Sequence, residues 1–274
     1  MQTFTICDGG RGGFSRIIAQ ALTKRFGDFV AVDGVDLEIR SGEIFGFLGP
    51  NGAGKTTTIN MLIGITTPTS GKVTLSGIDV LAEPERAKAL VGYVPDQPNM
   101  YEKLTAWEFL MFVANIYGMD RTRAERRAAQ LLEMFELGDR AREQTGGFSH
   151  GMRQKMVIAA SLLHEPKILF MDEPTVGLDP RSARQVKEIL RELAKEGVTV
   201  FLTTHVLEIA ERMCDRIGII QKGKLLTVGT MEDLRRTAAA KGTSAGDNGS
   251  TLEDLFLELT GGADYAEVSR YLEG

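Results

Sequence analysis

Apolar residues fall into two kinds of run along this chain. Some runs are short and unbroken: Glu43 to Leu48 (EIFGFL), Lys167 to Met171 (KILFM) and Val198 to Leu202 (VTVFL). Each reads as a strand buried on both faces, as in a parallel sheet. Leu90 to Val94 is a further short strand ending at Pro95. Between these runs the apolar positions take helical spacing: Ile59, Met61, Leu62 and Ile63, then residues 150–163, 181–196 and 206–213. Strands alternating with helices predict a mostly parallel sheet covered on both faces. Residues 17–39 differ. Ile17-Ile18 and Phe29 to Ile39, with Val30, Val32, Val35, Leu37 and Ile39, predict a small antiparallel sheet turning at Asp33-Gly34. Lys72 to Leu75 is another short strand, and residues 84–90 are helical. Arg216 to Gln221 and Lys224 to Val228 close the pattern as a hairpin through Lys222-Gly223.

Residues 101–137 change character. Thr105 caps an apolar helix running to Tyr117, and residues 121–137 form another. Arg121, Arg123, Arg126 and Arg127 cluster at its start beside Glu125, which reads as a solvated face. Gly146-Gly147 breaks the chain and Ser149 caps the next helix. Asp179-Pro180 has the cap-then-proline form of a helix start. Thr251 to Thr260 (TLEDLFLELT) is a short amphipathic helix, with Leu252, Leu255, Phe256 and Leu259 on the face that packs back on its own domain. The plan is a flexible leader over 1–17, a body over 18–240 with a helical subdomain at about 101–160, a linker over 241–250 and a helical tail over 251–274.

The most specific chemistry lies at Gly49-Pro50-Asn51-Gly52-Ala53-Gly54-Lys55-Thr56-Thr57, which fits G-x-x-x-x-G-K-[ST]. Its glycines let backbone amides approach a phosphate with no Cβ in the way. The loop opens a helix, so free amides and the positive end of the helix dipole face the anion. Lys55 adds a point charge, and Thr56 offers a hydroxyl to a Mg²⁺ bridging the phosphates. Upstream, Phe26 is either a stacking platform for a purine base or a core residue.

Cleaving a γ-phosphate needs charge neutralisation, a metal and an aligned water. Asp172 and Glu173 end a buried strand, where they suit the metal and the water respectively. His205 ends another strand, within reach of the same phosphate. Asp96-Gln97 follows a third, as a metal or water contact. Ser149 and Gly151 open a helix with a free amide end. A monomeric phosphate-loop enzyme needs only one such end, so the second suggests a site completed by another subunit.

Composition excludes some classes. The chain has 274 residues, 25% of them charged, and a net charge of −5, which argues against binding nucleic acid by general phosphate attraction. Cys7 and Cys214 lie far apart and do not read as a disulfide, which points to a cytosolic chain. No apolar run approaches the roughly 18 residues that a membrane helix needs.

The ordered set GPNGAGKTT, FSHGMRQ, ILFMDEPTVGLD and TTH resembles the nucleotide-binding subunit of ABC transporters, over nearly the whole chain from about residue 18. Ser149 stands 23 residues before Asp172, an order and interval similar to the family's. The resemblance implies an α/β fold: a P-loop NTPase core with a mostly parallel sheet, an N-terminal antiparallel β subdomain and an inserted α-helical subdomain. It implies ATP and Mg²⁺ as ligands, and ATP hydrolysis driving transport. Phe26 matches the adenine-stacking aromatic; Gly49 to Thr57 bind the triphosphate. Asp172 matches the metal carboxylate, Glu173 the catalytic one, and His205 the switch histidine. Ser149 and Gly151 match the signature that contacts ATP held by the opposite subunit, and Asp179 the loop communicating across that dimer. His150 and Met152 depart from the usual LSGGQ signature. Asp96 or Gln97 fills the metal-sensing glutamine position. The S-basic-G-M form, DEPTVGLDP and LEDLFLELTGG resemble the exporter branch, whose membrane subunits are separate chains. The implied partners are an integral membrane permease and a second ATP-binding subunit, with a homodimer sufficient, and no nucleic acid. The implied place is the cytoplasmic face of the membrane, held there by the permease. The alternative is a soluble ABC ATPase acting on nucleic acid or the ribosome, whose members carry paired cassettes or long coiled coils that are not seen here.

Overall fold

The computed structural model describes residues 16–175, 177–240 and 252–259. The linker, most of the leader including Cys7, and the tail from Thr260 lie outside the described residues.

Two sheets form the body. The first is antiparallel, in the order β2-β1-β4-β5, from β1 (Ile17–Phe26), β2 (Phe29–Ile39), β4 (Ser70–Leu75) and β5 (Ile78–Asp79). Ile17 therefore opens a strand and does not belong to the leader. The chain reverses at Gly27-Asp28, where Phe26 pairs with Phe29, and not at Asp33-Gly34. Leu22 pairs with Val35 and Lys24 with Val32, so β2 carries one extra residue at this point. Gly34, at φ 61°, sits in a bulge. The apolar alternation slips by one residue there, from Val32 to Val35, and resumes with Leu37 and Ile39 buried, so the bulge keeps these side chains on the core face as β2 continues past the Asp-Gly pair.

The second sheet is mostly parallel, in the order β10-β9-β3-β8-β7-β6, from β3 (Ile44–Leu48), β6 (Val91–Val94), β7 (Ile168–Asp172), β8 (Thr199–Thr204), β9 (Arg216–Gln221) and β10 (Lys224–Gly229). All except the β9–β10 pair run parallel, and every residue of β3, β7 and β8 is buried. The register aligns their carboxyl ends: Leu48 pairs with Thr204, Thr203 with Asp172, and Met171 with Val94. The residues that follow these strands therefore emerge along one rim, where ligands bind in open α/β sheets.

Helices α1 (Lys55–Leu62) and α2 (Pro84–Lys88) follow the phosphate loop and β5. The inserted subdomain comprises α3 (Ala106–Ile116), α4 (Arg121–Met134) and the start of α5 (His150–Leu162). Thr105 and Glu108 make a reciprocal capping box on α3. Helix α4 ends at Met134 and not at Leu137, because Glu136 turns left-handed at φ 59°. The arginine cluster at its start is ion-paired: Arg121 holds Glu125 at 2.8 Å, and Arg123 and the buried Arg127 both meet Glu165. Helices α6 (Pro180–Lys195), α7 (Leu207–Met213), α8 (Met231–Ala240) and α9 (Leu252–Leu259) complete the chain. As its pattern predicts, α9 buries Leu252, Leu255 and Phe256 against its own domain.

Candidate active site

The rim holds a cleft of about 340 Å³ lined by Phe29, Ala31, Pro50, Asn51, Gly52, Gly54, Lys55, Thr56, Thr57, Asp96, Asp172 and Glu173. It is built from strand ends and one helix start. The loop after β3 opens α1 with Gly54 at φ 108°, a left-handed conformation only glycine takes freely. A Cβ there would fall 2.6 Å from the Ala31 carbonyl oxygen, so the closeness of the loop to β2 also excludes any side chain. Gly49 and Ala53 are buried behind the lining.

Lys55 is 8% exposed, and its Nζ donates to the Gly49 carbonyl at 2.7 Å and the Pro50 carbonyl at 3.3 Å. Its nearest carboxylate, Glu173, lies 4.0 Å away. Burial pulls this ammonium below the usual lysine range, opposed by Glu173 and Asp172. Asp172 is 2% exposed and satisfied on both oxygens: Thr56 Oγ1 donates to Oδ2 at 2.9 Å, and Thr203 Oγ1 donates to Oδ1. Glu173 sits at φ 51°, strained for a side chain larger than glycine. Its amide holds that turn by donating to the Thr203 carbonyl and hydroxyl oxygens, both at 3.2 Å. Its carboxylate accepts from the His205 amide at 3.3 Å and lies 2.9 Å from His205 Nδ1. One strand end thus delivers a buried carboxylate beside a threonine hydroxyl, and next to it a carboxylate paired with an imidazole.

Other site residues are placed differently. Asp96 and Gln97 are both exposed, but only Asp96 lines the cleft; the Gln97 amide donates to Asp96 Oδ1 at 2.8 Å. Phe26 closes β1 with its ring 54% exposed and the Lys24 ammonium 5.0 Å above it, outside the lining. Phe29, its cross-strand neighbour, is the aromatic in the cleft. Ser149 and Gly151 also lie outside the lining; Ser149 Oγ accepts from the Met152 amide at 3.3 Å, capping its own helix. Asp179 caps α6 by accepting from the Arg181 and Ser182 amides and the Ser182 hydroxyl. The α5 start nevertheless touches the loop after Glu173. The buried Gln154 donates to the Pro174 carbonyl at 3.3 Å, and His150 packs so closely on Gly177 that a Cβ there would fall 2.4 Å from the ring.

Sequence reasoning missed Phe29 and gave Thr203 no role. Thr203 stands in the TTH motif, where only the histidine was given a role.

Comparisons with known proteins point to one family. The profile of the ABC transporter family matches residues 32–176. The linearmycin resistance ATP-binding protein of Bacillus subtilis is 43% identical over 216 residues, 79% of this chain and 70% of that protein. A probable multidrug ABC transporter ATP-binding protein of Escherichia coli is 40% identical over 252 residues, 91% of this chain but 42% of that longer protein. Among solved structures, an ATP-binding subunit of an ABC transporter superposes with a TM-score of 0.82 at 34% identity, covering 89% of this chain and 99% of that one. A dimeric ATP-binding cassette in a post-hydrolysis state, bound to ADP and Pi, superposes with a TM-score of 0.73 at 27% identity, covering 78% of this chain and 98% of that one. With its phosphate loop and strand-end carboxylates on one rim, the chain belongs to the ABC transporter family, as an ATP-binding subunit that hydrolyses ATP.

Proposed function

We propose that two copies of this chain close head to tail on two ATP molecules and drive export through a separate membrane permease, which holds them at the cytoplasmic face. One observation carries the composite site. The cleft gathers Lys55, Thr56, Asp172 and Glu173, while Ser149 and Gly151 stand outside it on another helix start. A second copy brings that start to the open side of the cleft, and Asp179 lies in the loop between the two halves. The dimeric relative supports the arrangement. The resistance and multidrug names of the relatives support export and give nothing to a nucleic-acid role.

Within one copy, amides of residues 51–57 and Lys55 hold the β- and γ-phosphates. Phe29 faces the nucleotide from the cleft wall, and the neighbouring Phe26 offers a second ring for the base. Glu173 accepts the proton of the attacking water as its oxygen bonds to the γ-phosphorus and the bond to ADP breaks. His205 holds Glu173 and reaches the γ-phosphate. The residues also fit a Mg²⁺. Among the described residues no cluster of three or more His, Cys, Asp or Glu forms a metal cage. Mg²⁺ is ordinarily held by one or two protein groups with phosphates and waters, which suits Thr56 and Asp172 at 2.9 Å, with Asp96 across the cleft. When bound, the ion neutralises phosphate charge.

No helix among the described residues is long and apolar enough to cross a membrane. The exposed aromatic group on the inserted subdomain supports contact with a permease: Tyr101 packs edge-on against Phe112 at 5.2 Å, and Ile116 and Tyr117 are also exposed. Asp96 lies five residues before Tyr101, so movement there reaches the cleft through a short loop.

Glu173→Gln tests this reading. With ATP and Mg²⁺, its turnover falls by about 10²–10⁴, as for loss of a general base. The variant still binds ATP and runs as a dimer by light scattering. A monomer in saturating ATP, or turnover near the parent's, overturns it.

A further inference from the structure

We infer that the C-terminal helix α9 is part of the switch: through α7 it positions His205 against Glu173. The inference rests on the reading that this pair acts at the γ-phosphate.

Only Val206 separates His205 from α7, so the placement of α7 sets where the imidazole stands. Helix α7 has seven residues and no side-chain cap at its start. A helix that short has no stability of its own and keeps its position through packing. Its C-terminal end is fastened to β3. The Asp215 amide donates to the Ile44 carbonyl at 2.8 Å, and Asp215 Oδ2 accepts from the Ile44 amide at 2.8 Å. Cys214 sits against Gly46 so tightly that a Cβ on that glycine would fall 2.7 Å from Sγ. A second set of contacts runs along the helix from its start next to His205. Leu207 and Ala210 join a separate apolar cluster with Leu252, Leu255 and Phe256 of α9, Leu234 of α8, and Ile217 and Ile219 of β9. Glu211 ties the same three helices: it accepts from the Leu252 amide at 3.5 Å and pairs with Arg235 of α8 at 4.0 Å.

Helix α7 is thus pinned to β3 at its far end, while α9 covers one face of it from Leu207, next to the histidine, to Glu211 and Cys214. The same cluster includes Leu48, the residue before Gly49. The tail helix therefore backs both the strand feeding the phosphate loop and the helix following the switch residue. Without α9, Leu207 and Ala210 lose their cover, and α7 can pivot about the Cys214–Asp215 anchor, carrying His205 off Glu173. Leu255 and Phe256 are positioning residues; neither lines the cleft.

The test compares Leu255→Ala, the milder Glu211→Gln and the reference His205→Ala, each in the full chain. Three quantities are read: ATP affinity by calorimetry, kcat, and amide exchange of residues 206–213 against 150–162. Leu255→Ala lowers kcat by about tenfold, within the loss that small displacements of a catalytic group cause. ATP affinity stays within about threefold, since Leu48 is held on both sides by β8 and β9 and Leu255 does not line the cleft. Exchange speeds up in 206–213 and not in 150–162. Glu211→Gln does the same to a smaller extent and serves if Leu255→Ala does not fold. Unchanged exchange in 206–213 in both variants overturns the inference, as does full turnover in both beside an inactive His205→Ala. Full turnover in His205→Ala itself overturns the reading of the switch pair, while faster exchange in 206–213 still shows that α9 holds α7.

Discussion

The cleft rim and the start of α5 are both anion sites in form, yet they are built in opposite ways. At the rim, Lys55 and Asp172 are almost fully buried, and each oxygen of Asp172 accepts from a threonine of a different element. At the start of α5, Ser149 is exposed and its hydroxyl binds only the amide of its own helix. A buried, cross-linked polar site is preorganised and loses most when one member is removed. An exposed, self-capped helix start costs its own fold little when altered, so what it contributes appears when something docks on it. On the proposed reading, the chain carries one finished half-site and one that a second copy completes.

That contrast breaks first at Lys55. Its ammonium is buried and bound to two loop carbonyls, so Lys55→Ala removes a desolvated charge and slackens the loop. Losing one member of such a buried pair costs about 2–5 kcal/mol, so ATP affinity falls by at least about 30-fold in calorimetry. Binding within about threefold of the parent would show that the rim is no more preorganised than the α5 start.

Thr203 sharpens the comparison at the next level of effect. Thr203→Val keeps the shape of β8 but removes the donor to Asp172 and one of the two acceptors for the Glu173 amide. A buried carboxylate oxygen left unsatisfied costs about 1–3 kcal/mol. The expected outcome is that loss in denaturant stability, with turnover reduced about tenfold as Glu173 relaxes from φ 51°. If stability drops but kcat holds, Thr203 only supports the sheet.

How much of this was readable beforehand follows the same divide. The buried strands announced themselves as unbroken apolar runs, and the residues after them could be placed on one rim with no coordinates. What escaped was set by register. The pairing of Thr203 with Asp172 depends on how β7 and β8 align, which no local pattern states. The Asp33-Gly34 pair was misread because a hairpin and a bulge both ask for a glycine at positive φ, and only the pairing of Leu22 with Val35 distinguishes them. Phe29 was passed over for Phe26 because the turn at Gly27-Asp28 makes them cross-strand neighbours. Asp96 and Gln97 are adjacent in sequence and both exposed, and only the exit path of the chain after Pro95 puts Asp96 in the cleft lining and not Gln97. The tail helix was read as packing on its own domain, but which helix it backs was beyond any periodicity.

The smallest structural effect, and the most direct probe of the unfinished half-site, belongs to Ser149. Ser149→Ala removes the cap of α5, worth about 1 kcal/mol, so the unfolding midpoint falls by only about 2–4 °C in a chain of this size. ATP affinity of the single chain is unchanged, because Ser149 does not line the cleft. Turnover is where the two halves meet. If Ser149 of one copy completes the cleft of another, kcat falls by about tenfold or more despite the small change in stability. Mixing supplies the control. Ser149→Ala and Lys55→Ala chains are each impaired alone, but together they form dimers with one cleft that keeps both Lys55 and the opposing Ser149. Recovery of part of the turnover in that mixture requires the serine to act across the interface. No recovery, with dimers present, places Ser149 with its own chain and leaves the start of α5 as a helix cap and nothing more.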